Sequence, residues 1–137
     1  MLTGSCLCGQ VAYEADATID GLVHCHCQSC RKAHGAAFSS IAAVPRRQFR
    51  WTCGESVLKS HESSPGKFRW FCGECGSQIV AERAGASTVM LRLGCLDTRL
   101  VVGRQWHIWR SDAASWYDPK VQVAELQEGI DAVQKPG

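Results

Sequence analysis

The sequence has no run of apolar residues approaching the roughly 18 that a membrane-crossing helix needs. Its beginning, Met1-Leu2-Thr3-Gly4-Ser5-Cys6, has no basic segment followed by an apolar one, so no secretory signal is expected. There is no excess of one charge. Fifteen Lys and Arg against 13 Asp and Glu leave +2, too little to imply a nucleic-acid or membrane partner. No internal repeat of solenoid length and no low-complexity tract interrupts the chain. At 137 residues it is too short for two ordinary domains, and 45% hydrophobic against 20% charged residues is a globular balance. What it does have is nine cysteines, an odd number that cannot all pair within one chain. Without a secretory signal the expected compartment is a reducing cytoplasm, where structural disulfides are rare. Clustered cysteines there are metal ligands or catalytic thiols.

Short β-like runs dominate the pattern. Gln10 to Glu14 alternates, with Val11 and Tyr13 on one face. Leu22 to His26, Ala37 to Val44 (stopped by Pro45), Gln48 to Trp51 and Val57 to His61 follow. Ser63-Ser64-Pro65-Gly66 is a turn signal before Lys67 to Cys72. Gln78 to Glu82, Thr88 to Leu93 and Trp106 to Arg110 complete the set. Many short strands with frequent turns predict a mostly β domain over about residues 1–118. A tail over 119–137 carries a helical pattern: Asp118 as N-cap, Pro119 at the first position, then Val123, Leu126, Ile130 and Val133 on one face.

The cysteines fall into three clusters and two singles, Cys53 and Cys95. Cys72-Gly73-Glu74-Cys75-Gly76 is a zinc knuckle: the tight turn brings two thiolates to one metal, and the final glycine tolerates a left-handed backbone. A structural zinc takes four ligands. The complement is Cys6 and Cys8, because Cys8-Gly9 repeats the Cys75-Gly76 ending. That leaves Cys25, Cys27 and Cys30. Along a strand Cys25 and Cys27 face one way and His24 and His26 the other, so the two histidines are poor co-ligands. They read as a hydrogen-bonded core histidine and a surface histidine. Gln28 to Lys32 can turn as a helical start, which would put amide donors beside Cys27.

Three thiolates leave a fourth zinc position open, the pattern of a catalytic rather than a structural site. Such a zinc is a weaker Lewis acid than one held by three histidines, and it favours a sulfur ligand. Seven thiolates and two zinc ions together would shift the chain's +2 to about −1, which weakens the case for nucleic acid further.

These residues resemble the family of glutathione-dependent formaldehyde-activating enzymes and centromere protein V. The matching pieces are Gly4-Ser5-Cys6-Leu7-Cys8-Gly9, His24 to Lys32 and Phe71 to Gly76. Phe49-Arg50-Trp51, Leu93-Gly94-Cys95-Leu96-Asp97, His107-Ile108-Trp109 and Trp116 support them, over roughly residues 3–118. The resemblance implies a complex β-tent fold of short antiparallel strands around two zinc ions. Cys6, Cys8, Cys72 and Cys75 would hold the structural zinc, and Cys25, Cys27 and Cys30 the one called catalytic. It also implies a carbon–sulfur lyase of the S-(hydroxymethyl)glutathione synthase type, with glutathione as the favoured small-molecule thiol. Cys53 and Cys95 stand where similar proteins often have serine, so neither is expected to be a ligand.

Within that reading, His107 is a candidate proton donor, with packing between Trp106 and Ile108 as its competing role. Arg31 and Lys32, or Arg47 and Arg110, are candidates for binding the carboxylates of the thiol, and the sequence does not choose among them. The competing function is a zinc-stabilised binding or interaction module without turnover. Pro45 to Trp51 interleaves basic and aromatic residues as nucleic-acid surfaces do, but Phe49 and Trp51 at period two fit an edge strand better.

Overall fold

The structure is a computed structural model describing residues 1–129. Ten strands and one α-helix are present among them: β1 (Leu2–Ser5), β2 (Ala12–Ala15), β3 (Gly21–Cys25), α1 (Gln28–His34), β4 (Ser39–Pro45), β5 (Phe49–Cys53), β6 (Leu58–Ser64), β7 (Lys67–Cys72), β8 (Gln78–Arg83), β9 (Thr88–Arg92) and β10 (Arg104–Ile108). They form a three-stranded sheet, β1-β2-β5, and a seven-stranded sheet, β10-β3-β4-β9-β8-β7-β6.

The alternation read from sequence sets which face each strand buries. Val11 and Tyr13 are both sealed from solvent, as are Val89 and Leu91. With Leu2, Ala15, Val44, Cys72, Ile79 and Val80 they form one core shared by the two sheets. Ile79, Val80 and Ala81 are consecutive and all buried, so β8 is covered on both faces. A second, smaller core of Cys25, Cys30 and Ile41, with Val23, Met90 and Ile108 against it, uses the residues of opposite parity. It therefore lies on the other face of β3, β4 and β9.

The basic–aromatic segment becomes the edge strand β5. Phe49 and Trp51 turn inward onto Tyr13, with ring centroids 5.2 and 6.3 Å away. Arg50 faces outward, its Nε 2.6 Å from Glu14 Oε1, and Arg46 is ion-paired with Glu82.

Three expectations are corrected. β1 was not expected as a strand; it pairs antiparallel with β2, and Thr98 ties Thr3 in place from far along the chain. The sheet is not purely antiparallel, because β10 runs parallel to β3. Finally, residues 119–129 contain no helix. The start signal does form, with Lys120 N–H donating to Asp118 Oδ1 at 2.9 Å, but no helical turns follow. Val121, Val123 and Leu126 are all exposed, so no apolar face is buried. A short segment with β-branched valines is then too weak a helix former to stand alone. Ile130 and Val133 lie outside the described residues.

Candidate metal centres

Chain direction brings the cysteines to one end of the seven-stranded sheet. Cys25 ends β3, Ser39 begins β4, Arg92 ends β9, Gln78 begins β8 and Cys72 ends β7. In an antiparallel succession those five ends coincide.

Two groups of sulfur atoms result, Cys6/Cys8/Cys72/Cys75 and Cys25/Cys27/Cys30, each with all its sulfurs within 4.8 Å of one another. These are the two groups expected from the sequence. In the first, Cys6 and Cys8 sulfurs are 3.6 Å apart and those of Cys8 and Cys72 are 3.8 Å apart. Four sulfurs at 2.3 Å from a tetrahedral zinc would be about 3.8 Å from each other, so the donor set fits that ion. All nine cysteines are free thiols.

The two arms of the first group share a local design. Gly9 has φ 80° and Gly76 φ 79°, a region that side chains with a Cβ rarely enter. Gly9 N–H closes onto Cys6 O at 3.0 Å and Gly76 N–H onto Cys72 O at 2.8 Å. Ser77 joins the arms: its hydroxyl accepts from Leu7 N–H at 2.9 Å and lies 3.3 Å from Cys75 Sγ. The Ser77 hydroxyl, with backbone amides of Ser77 and Cys8, favours the ionised form of Cys75 and lowers its thiol from the usual range.

The second group is built by β3 and α1. Cys27 is the N-cap of α1 and its sulfur accepts from Cys30 N–H at 3.4 Å. Burial opposes ionisation of Cys27, but the Cys30 amide, the Cys30 and Cys25 thiols and the charge of Arg69 outweigh it and lower its pKa. Burial dominates at Cys25 and pushes its thiol up to about 12. Among the described residues, no fourth Cys, His, Asp or Glu donor joins this group. Its fit to a metal rests on three converging sulfurs, and it differs from the first group in that one respect.

The sequence did not single out the two arginines beside this site. Arg69 is 4% exposed and its Nη1 approaches Cys30 Sγ at 3.8 Å. Arg92 is 3% exposed and lies close enough to Cys30, Cys25 and Cys27 for their charge to act on it. A trace was legible: in Thr88 to Leu93 the residues Val89, Leu91 and Leu93 share one face, which leaves Arg92 with Met90 on the other. That face would ordinarily be solvent, but here it carries the second core.

The other candidates fall elsewhere. Arg31 Nε donates to His26 O at 3.3 Å, while Lys32, Arg47 and Arg110 are exposed. His107 is opposite His24 in the β10–β3 pair, one residue from Ile108, which packs on the cysteine group. Its ring therefore points to the other face, where its Nδ1 is 2.7 Å from His26 Nε2. His24, His26 and Phe38 surround it with ring centroids 5.1, 4.9 and 5.7 Å away. His26 is the fully buried histidine, and His24 is bonded to Ser40 and Gln105.

The sequence model of the family described as glutathione-dependent formaldehyde-activating enzyme matches residues 1–112. The chain belongs to that family. A crystal structure of a Rhodobacter sphaeroides protein, a structural-genomics target, is similar to this glutathione-dependent formaldehyde-activating enzyme family member with a TM-score of 0.61. The two are 21% identical, and the match covers 76% of this chain and 98% of that one, a likeness of fold. No curated protein matches the chain. Among the described residues no helix is long and apolar enough to cross a membrane.

Proposed function

We propose that the protein joins a small thiol, with glutathione favoured, to formaldehyde or a related small electrophile. It would act as a zinc-dependent carbon–sulfur lyase of the S-(hydroxymethyl)glutathione synthase type. The observation that carries this reading is the inequality of the two cysteine groups, four sulfurs in one and three in the other. Cys6, Cys8, Cys72 and Cys75 would hold a closed, structural zinc. Cys25, Cys27 and Cys30 would hold a second zinc that, when bound, supplies a positive centre able to keep an incoming thiol ionised at neutral pH.

The chain's own residues favour the same outcome. Arg69 places its guanidinium beside the sulfurs, and buried Ile41 with partly buried Met90 and Ile108 forms an apolar wall there. In the reaction the thiolate sulfur forms a bond to the aldehyde carbon, the carbonyl π electrons move to oxygen, and that oxygen takes a proton. Nothing is oxidised or reduced. His107 faces away from the sulfurs, so the proton is assigned to solvent rather than to His107. The family's β-tent description suits two sheets that share one core. Nine free thiols suit a reducing cytoplasm.

The test is spectroscopic and then kinetic. In the cobalt-substituted protein, glutathione should shift the sulfur-to-metal and ligand-field bands, and S-methylglutathione should act far more weakly. A Cys27→Ser variant should lose the response. The zinc protein should then speed exchange between formaldehyde and its glutathione adduct, measured by carbon-13 exchange NMR. An equal response to both peptides would mean binding away from the metal. No response to any thiol would leave a zinc-stabilised module without turnover as the better account.

A further inference from the structure

The end of the sheet that carries both cysteine groups also holds a cavity of about 320 Å³, lined in part by His34, Phe38, Ser39, Gln78, Arg92 and Cys95. Its volume is at the lower end of the roughly 300–1,000 Å³ of small-molecule sites. Ser39 is paired with Cys25 across β3 and β4, and the cavity also touches Ser77, the partner of Cys75. It is therefore flanked by the two cysteine groups.

Its wall is unusual in its hydrogen bonding. Seven buried side-chain nitrogen and oxygen atoms among the described residues have no partner, and five belong to four residues of this wall: Arg92 Nε and Nη2, His34 Nε2, Ser39 Oγ and Gln78 Oε1. A buried polar atom left unpaired costs about 1–3 kcal/mol, so native proteins keep few of them and rarely gather them in one place. The Arg92 pair is the most specific. Nε–H and Nη2–H are the two parallel donors along one edge of a guanidinium, a fork that matches the two oxygens of a carboxylate. No acidic side chain answers it: the ion pairs among the described residues are Arg46–Glu82 and Arg50–Glu14. Ser39, 2% exposed, adds a hydroxyl that can also donate.

We propose that this cavity receives a carboxylate docked on Arg92, and that the carboxylate belongs to the thiol whose sulfur enters the Cys25/Cys27/Cys30 group. The inference rests on the thiol-binding reading above and sharpens it: the site selects acidic thiols over neutral ones. Arg92 is then a specificity residue for substrate binding, distinct from Arg31, Lys32, Arg47 and Arg110.

The test uses the cobalt-loaded full chain and two near-isosteric thiols, 3-mercaptopropionate and 3-mercaptopropionamide, read by the cobalt bands. The acid should bind on the order of 10- to 100-fold more tightly than the amide, as a charged hydrogen-bonded pair implies. In Arg92→Gln that preference should collapse to within about twofold, because the acid loses far more affinity than the amide. Arg92→Lys keeps the charge without the fork and should recover only part of the preference, which also guards against a misfolded glutamine variant. A preference that survives in Arg92→Gln overturns the proposal. So does an equal loss for acid and amide, which would mean that Arg92 acts only on the cysteine sulfurs. Propionate, which has no thiol, separates the sources: if it binds as tightly as the mercapto acid, judged by the Arg92 Nε–H signal in nitrogen-15 NMR, the occupant is a free acid and the assignment to the thiol falls. If no thiol moves the cobalt bands, the proposed function fails. The propionate titration then still decides the cavity, since a saturable shift of the Arg92 signal supports a carboxylate site and no shift overturns it.

Discussion

Removing one sulfur from each cysteine group should have unequal consequences, and the structure sets their size. The first group links Cys8 to Cys72 across 64 residues, and their sulfurs are 3.8 Å apart. If a metal closes that loop, the chain-entropy relation for cross-links gives roughly 4 kcal/mol of stabilisation through the unfolded state. Cys8 is exposed, so Cys8→Ser should cost about that amount and little else. Cys72 is fully buried in the main core, and a serine hydroxyl there would add about 1–3 kcal/mol, for a total of roughly 5–7 kcal/mol. That is most of the 5–15 kcal/mol a domain of this kind commands, so Cys72→Ser should be poorly soluble or unfolded. The second group closes only the short span from Cys25 to Cys30, for which the same relation gives roughly 2 kcal/mol. Cys27→Ser should therefore stay folded and hold one metal. The assay is metal content per chain together with urea unfolding. With a slope of about 1–3 kcal/mol per molar, Cys8→Ser should move the midpoint by roughly 2 M, about twice the shift of Cys27→Ser. The reasoning is refuted if Cys8→Ser keeps two metals and its midpoint, or if Cys8→Ser and Cys27→Ser both lose two metals and unfold alike.

Cys53→Ser and Cys95→Ser should each retain the metal content of the parent, because their sulfurs contact Gln10 O and Gln78 O and lie outside both groups; loss of one equivalent in either variant would show a misassigned ligand. Burial, then the charges of Arg92 and Arg69, lower His34 to about 4 from its usual 6.5. The unfolded chain therefore takes up the proton first, and stability present above pH 6.5 is lost as the pH falls toward 4; because the ring is partly exposed and solvent screens it, His34→Asn should flatten that limb by only about 1–2 kcal/mol relative to the parent, whereas identical pH profiles would place His34 in full contact with water.

The parts of this molecule that could be read from sequence are those whose geometry is local. Cys8-Gly9 and Cys75-Gly76 declare matching turns because the backbone after each cysteine needs φ near +80°, a demand that glycine alone meets cheaply. Two such turns with four thiols have one economical way to meet, which is why the grouping could be stated before the fold. Strand faces were legible for the same reason, since alternation at Val11/Tyr13 and Val89/Leu91 is a property of a few consecutive residues. The parallel β10–β3 pair was not, because its partners are 83 residues apart, His24 to His107, and neither strand carries a mark of the other's direction. The tail fails in the opposite way: its periodicity is real, but a period becomes a helix only where something covers the apolar face, and Val123 and Leu126 stay exposed.

Arg69 and Arg92 are the most instructive omissions. Each sits at an ordinary outward position of a strand, and a charged residue there reads as solvated surface. Their burial comes from the three-cysteine group and α1 being laid over that face, which no local pattern announces. The consequence is chemical. Two guanidinium groups beside three thiols make a pocket in which incoming negative charge is favoured, whether it arrives as a thiolate or as a carboxylate. A binding module that needed zinc only for rigidity would gain nothing from holding two arginines out of water without a carboxylate between them, since each buried guanidinium carries a desolvation cost. That cost is offset only when anionic partners are present. The three thiols of the Cys25/Cys27/Cys30 group supply part of that requirement, and the acidic thiol proposed as substrate supplies the remainder.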